Sequence, residues 1–148
     1  MCFLNLFKTN NVNSTAPPTI VGTITGAEVE TILRLKHPEF PFIGISDAVF
    51  DLCSKESLKA FLNLDETNKI TYVPEKMDCD DFAARLYGQV NAPLWSACPI
   101  GLMWTNLHAL CFTILDETKD FYYIEPQNDK IAPELDNWQG LQARFMIT

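Results

Sequence analysis

Apolar positions change their spacing along this chain, and the changes mark its elements. Thr25-Gly-Ala-Glu28 has the spacing of a capping box, and Val29, Ile32, Leu33 and Leu35 follow on one helical face, so a helix is expected over 26–36. Pro38 and Pro41 in HPEFPF end it, since proline lacks the amide and disfavours helix in the residue before it. In SKESLKAFLNL, residues 54–64, Leu58, Phe61 and Leu62 share a face and predict a second short helix. From Asp78 onward, Cys79, Phe82, Ala83, Leu86, Tyr87 and Val90 form the stripe of a third, with Asp78 as N-cap and Asp81 near the positive end of the dipole. Then the period shortens. HALCFTIL (108–115) and FYYIE (121–125) read as strands of an antiparallel hairpin across DETKD, and LQARFMIT at the end of the chain reads as one more. Helices come first and strands last, which predicts an α+β class with an antiparallel sheet.

KTNNVNSTAPPT, residues 8–19, is polar, contains prolines and has no period. A flexible arm over 1–22 and a single domain over 23–148 are therefore expected. At 148 residues and 47% hydrophobic composition the chain can bury a core of its own. A net charge of −8 argues against nucleic acid as partner, because such binding gains its affinity from Lys and Arg on phosphates. MCFLNLF lacks a basic flank and is too short for an export signal or a membrane span, so no membrane partner is expected. Five cysteines with no CxxC pair point to free thiols in the cytoplasm or another reducing compartment. Cys53 and Cys111 read as small core residues.

Cys79 reads differently, because helix N-terminal amides favour a thiolate and can receive an oxyanion. Against that, Asp78, Asp80 and Asp81 crowd the thiol and favour its protonated form. An imidazolium beside it, or a cation on the aspartates, would relieve the conflict. Of the two histidines, His37 ends a helix beside a proline and reads as a solvated or capping residue, while His108 opens an apolar strand. A hairpin register with Leu115 opposite Asp120 sets Gln127 opposite His108 and Glu125 opposite Leu110. Period-2 geometry then puts His108, Glu125 and Gln127 on one face, where a carboxylate can orient the imidazole.

DCDDFA, LHALCFTIL and FYYIEPQN together resemble the papain-like cysteine protease domain at the C-terminus of the Marasmius oreades agglutinin and its relatives, phage-encoded proteins among them. The resemblance runs from about Ile45 to the C-terminus. It implies a papain-like α+β architecture, a calcium-dependent peptidase with a protein or peptide substrate, and a thioester acyl-enzyme on Cys79 with His108 as base and Glu125 as orienter. Gln127 falls in the EPQ that follows. The same resemblance makes Asp80 and Asp81 candidates for calcium, whose ligands are hard oxygens, and it implies no organic cofactor. No glutamine stands at the usual oxyanion position; Tyr72 and Glu75 are the nearest polar groups. The agglutinin's lectin domain has no counterpart in residues 1–44, so sugar binding is not implied. Peptidoglycan hydrolases of NlpC or CHAP type, and a catalytically silent interaction module, are the rival readings. Trp95, Met103 and Trp104 read as core, with a cleft-lining role as the alternative.

Overall fold

The computed structural model describes residues 16–39, 41–140 and 142–148. In chain order the elements are β1 (Ile20–Thr25), α1 (Gly26–Lys36), β2 (Ile43–Gly44), β3 (Val49–Cys53), α2 (Lys55–Leu64), α3 (Cys79–Val90), β4 (Ile100–Thr105), β5 (Ala109–Leu115), β6 (Asp120–Glu125), β7 (Lys130–Ala132) and β8 (Ala143–Ile147). Short 3-10 turns occupy Thr67–Lys69 and Asn137–Gln139. Six strands form one sheet in the order β2-β8-β4-β5-β6-β7, and β1 and β3 make a separate two-stranded ribbon. Only β2 and β8 run parallel.

The large sheet is covered on both faces. On one, Ala109, Cys111, Leu115 and Ile124 cluster with Leu58, Phe61 and Leu62 of α2 and with Ala83, Leu86 and Val90 of α3. On the other, Leu110, Phe112, Ile114 and Met146 cluster with Val29 and Leu33 of α1 and with Ile24, Phe50 and Leu52 of the ribbon. Strand β5 lies at the centre and all seven of its residues are buried. At about 1.5–3 kcal/mol for each large apolar side chain fully buried, this strand is the main anchor of the fold.

The order of helices first and strands last is corrected. Among the described residues there are eight strands and three helices, and strands bracket the first helix. β1 and β4 were missed for physical reasons. β4 is covered on both faces, so it shows no period-2 alternation. It also contains Gly101, where a Cβ would strike the Ile147 carbonyl and the Phe112 ring. β1 is broken by an irregularity between Ile20 and Gly22. Of the arm expected over 1–22, residues 1–15, with Cys2, lie outside the described residues. Ile20, Val21 and Gly22 belong to β1, and Ile20 and Gly22 pair with β3. Among the described residues no helix is long and apolar enough to cross a membrane.

Helix α1 begins at the Thr25–Glu28 capping box, and its Glu28 carboxylate also accepts from Lys119 Nζ at 2.7 Å. His37 is the C-cap residue of α1, yet it is buried rather than solvated, and its Nε2 meets the Tyr123 hydroxyl at 2.9 Å. Burial pushes its pKa down.

Candidate functional site

Helix α3 lies across β4 and β5 so that its first residue, Cys79, meets the start of β5. Asp78 is the N-cap: its N–H donates to the Asp81 carboxylate at 3.2 Å, and its own carboxylate accepts from the Glu75 N–H at 3.1 Å. Glu75 holds a left-handed φ of 59° to reach it. The Cys79 thiol is half-buried, and the Ala109 amide sits beside its sulfur. Burial pushes the thiol above its ordinary value, the charges of Asp78 and Asp80 push it further, and the Ala109 amide works against both.

Ala109 follows His108, so the thiol lies next to the histidine's strand position. His108 is 7% exposed. Its N–H donates to Thr105 Oγ1 at 2.9 Å, and Thr105 N–H donates back to the His108 carbonyl at 2.7 Å. Its Nε2 lies 2.8 Å from Oε2 of Glu125, which is 2% exposed. A carboxylate on Nε2 fixes the tautomer with Nδ1 unprotonated, and Nδ1 has no hydrogen-bond partner among the described residues. The register places these groups: β5 and β6 pair with Leu115 opposite Asp120 and Cys111 opposite Ile124, which carries Glu125 to the position diagonal to His108.

Two contributors to this cluster were not foreseen. Gln139 is buried, its Nε2 donates to the same Glu125 Oε2 at 2.7 Å, and its Oε1 accepts from the Asp136 N–H at 2.9 Å, so both ends of the amide are fixed. Trp138 packs its indole on the His108 ring, centroids 4.8 Å apart, and stays 55% exposed. Gly140, with φ 90°, lets the chain pass where a Cβ would come within 2.6 Å of Thr105 Oγ1 and Asn106 Oδ1. The Asp136–Gln139 capping-box spacing was the one legible signal in this stretch. Gln127, expected to assist through its side chain, reaches Glu125 Oε1 with its backbone N–H at 3.4 Å. Tyr72 stacks on Phe82 and lies near enough to Asp78 and Cys79 for their charges to raise its pKa, after the larger effect of desolvation.

The residues expected to hold calcium do not all converge. Asp81 is spent on the Asp78 amide, and the ligand atoms within 4.8 Å of one another belong to Asp78, Cys79 and Asp80. The carboxyls of Asp78 and Asp80 are hydrogen-bonded to each other, which lowers the pKa of the first and raises that of the second.

No family model matches this chain, and no curated protein matches it. Solved structures do. One, a PSL1a–E64 complex, superimposes with a TM-score of 0.70 at 22% identity over 85% of this chain and 50% of that one. Another, the Polyporus squamosus lectin bound to the human-type influenza-binding epitope Neu5Aca2-6Galb1-4GlcNAc, gives 0.69 at 21% identity over 85% and 49%. The chain shares its fold with about half of each of these solved chains. It spans about half the length of these solved chains, and at such identity the likeness is one of fold.

These matches correct the family resemblance drawn from the sequence. The structures reached are named for a lectin and its complexes, not for a papain-like protease. The papain-like class, the calcium-dependent peptidase activity, its acyl-enzyme and the protein or peptide substrate are withdrawn, and the peptidoglycan hydrolase reading goes with them. The physical reason is that the three motifs are local. A capped helix start, a strand histidine and a strand glutamate set neighbouring side chains, and a scaffold that holds them does not imply a reaction.

Proposed function

We propose that this chain is a ligand-binding domain whose site is centred on Cys79, with the thiol capturing an electrophilic ligand covalently, His108 Nδ1 taking its proton and Glu125 holding the imidazole. The observation that supports this most is the buried Glu125, which accepts from both His108 and Gln139 and leaves Nδ1 directed away from the carboxylate. Sulfur attacks the electrophilic carbon as that carbon's bond to its leaving atom breaks, the leaving atom departing with the bonding pair; the S–H proton passes to Nδ1, and the imidazolium formed is stabilised by Glu125. The reading is stoichiometric capture, without turnover. One solved neighbour is a complex with E64, which makes that compound a natural probe. Incubation with E64 or iodoacetamide, followed by peptide mass spectrometry, should label Cys79 ahead of the buried Cys53, Cys98 and Cys111. Equal labelling of all four sinks the proposal.

Calcium belongs to the same proposal at Asp78 and Asp80, whose ligand atoms lie within 4.8 Å of one another and of the thiol, where a cation would offset the negative field on the sulfur. Chelation should then slow Cys79 labelling and calcium should restore it.

A second reading, carbohydrate binding, is favoured by Trp138. An exposed indole beside buried polar groups suits the apolar face of a sugar ring, and the other solved neighbour holds a sialylated glycan. Titration with Neu5Aca2-6Galb1-4GlcNAc should perturb tryptophan fluorescence in the parent chain and not in Trp138→Ala. An unchanged spectrum at millimolar glycan excludes it.

A further inference from the structure

Beside α3, three polar oxygens are buried without a partner among the described residues, and they lie on two segments that meet. Thr67, on the 3-10 turn after α2, is 0% exposed and its Oγ1 has no hydrogen-bond partner. Asn68 Oδ1 and Asp129 Oδ1 are likewise buried and unpartnered. Asn68 Nδ2 donates to Asp129 Oδ2 at 2.5 Å, which joins the two segments at these two side chains. Asp65 adds a carboxylate that is 8% exposed, with its Oδ2 accepting from the Thr67 N–H at 2.8 Å. A buried polar atom left unpaired costs about 1–3 kcal/mol, so three in one place call for a missing partner.

The electrostatics point the same way. Desolvation and the Asp65 charge hold the Asp129 carboxyl up at about 6, and Lys69 is the cation that acts against them. Lys69 lies 3.6 Å from Glu66 with its side chain 62% exposed, so it offsets little of the paired negative charge. Asp129 also holds a left-handed φ of 60° while its N–H donates to the Glu125 carbonyl at 2.9 Å. The turn that presents Asp129 is therefore the turn that ends in Glu125.

From this geometry we infer that Asp65, Thr67, Asn68 and Asp129 form a binding site for a hard divalent cation that ties the turn after α2 to the β6–β7 turn. The donors are all oxygens, from two carboxylates, an amide carbonyl and a hydroxyl, which is the chemistry such ions take, and water completes the shell. Binding would steady the backbone from which Glu125 reaches His108. The inference stands apart from any cation at Asp78 and Asp80 and from the reactivity of Cys79.

Calorimetric titration of the full chain with Ca²⁺ and with Mg²⁺, alongside thermal melts, tests it. One of the two ions should bind and raise the melting temperature, as a ligand of the native state must. Asp129→Asn and Thr67→Val should each weaken that binding at least tenfold, whereas Asp80→Asn should retain it. Thr67→Val keeps the side-chain volume and decides the matter alone if Asp129→Asn fails to fold. Absence of binding at millimolar ion overturns the inference, as does binding that survives Thr67→Val unchanged or is abolished by Asp80→Asn. Cys79 labelling that persists when this site fails would leave the thiol proposal standing, and the reverse result would leave the cation site standing.

Discussion

At Cys79 burial and the aspartate charges oppose the Ala109 amide, and the proposed base, His108, would tip the balance. Burial and the neighbouring aspartates push the thiol above its ordinary value, so direct ionisation at neutral pH is disfavoured. Under the proposed function His108 Nδ1 offers a second route, in which proton transfer from the thiol leaves a thiolate–imidazolium pair. His108→Ala should therefore slow Cys79 alkylation at pH 7 by roughly a hundredfold, the scale of a lost general base. In that variant the rate should keep climbing with pH and level off only above 9, the direction in which the thiol is shifted. An unaltered rate–pH curve would show that His108 takes no part. The fixed amide of Gln139 bears on the same pair, because it donates to the same Glu125 Oε2 that the imidazole meets.

Among the elements, α1 carries the clearest electrostatic signature. Glu28 reaches back to the Thr25 amide and hydroxyl, each at 2.9 Å, and accepts from Lys119. The Lys119 hydrogen bond first, then the Thr25 amide, bring the Glu28 pKa from 4.5 down to about 2. A depressed carboxyl contributes stability that is present above its unfolded pKa and is lost as the folded group protonates. Glu28→Gln should thus lower the melting temperature at pH 7, and the gap to the parent should close as pH falls from about 4.5 toward 2. A gap independent of pH would assign the loss to packing. Thr25→Ala, which removes the other half of the box, should cost about 1 kcal/mol in urea unfolding.

For the molecule as a whole, the C-terminal strand matters more than its length suggests. β8 lies between β2 and β4, so it is interior to the sheet although it comes last in the chain. It contributes the fully buried Met146, and Ile147 pairs with Leu102. Both sheet edges are short, two residues in β2 and three in β7, which limits edge-to-edge pairing. Removing residues 143–148 would replace a short edge with the six-residue β4, exposed along its full length. The truncated chain should lose its cooperative melt and aggregate; a monomeric, cooperatively folding product on a sizing column would contradict this role for β8.

Local signals fixed what depends on local chemistry. Capping boxes and apolar stripes located α1, α2 and α3 because helix bonds close within four residues. The β5–β6 register was legible because a short turn constrains it, and with it the approach of Glu125 to His108. Other features depended on residues far apart in the chain. β4 gave no alternation because its neighbours bury both faces, and β1 found its partner only across α1. Trp138 and Gln139 join His108 and Glu125 because the last stretch of chain returns over the sheet, a route without a local pattern. The segments carrying the buried oxygens of Thr67, Asn68 and Asp129 meet for the same reason, the last two residues lying sixty-one positions apart. Short motifs determine which side chains stand next to one another on an element; which elements meet, and what ligand their meeting can hold, is settled only when the core closes.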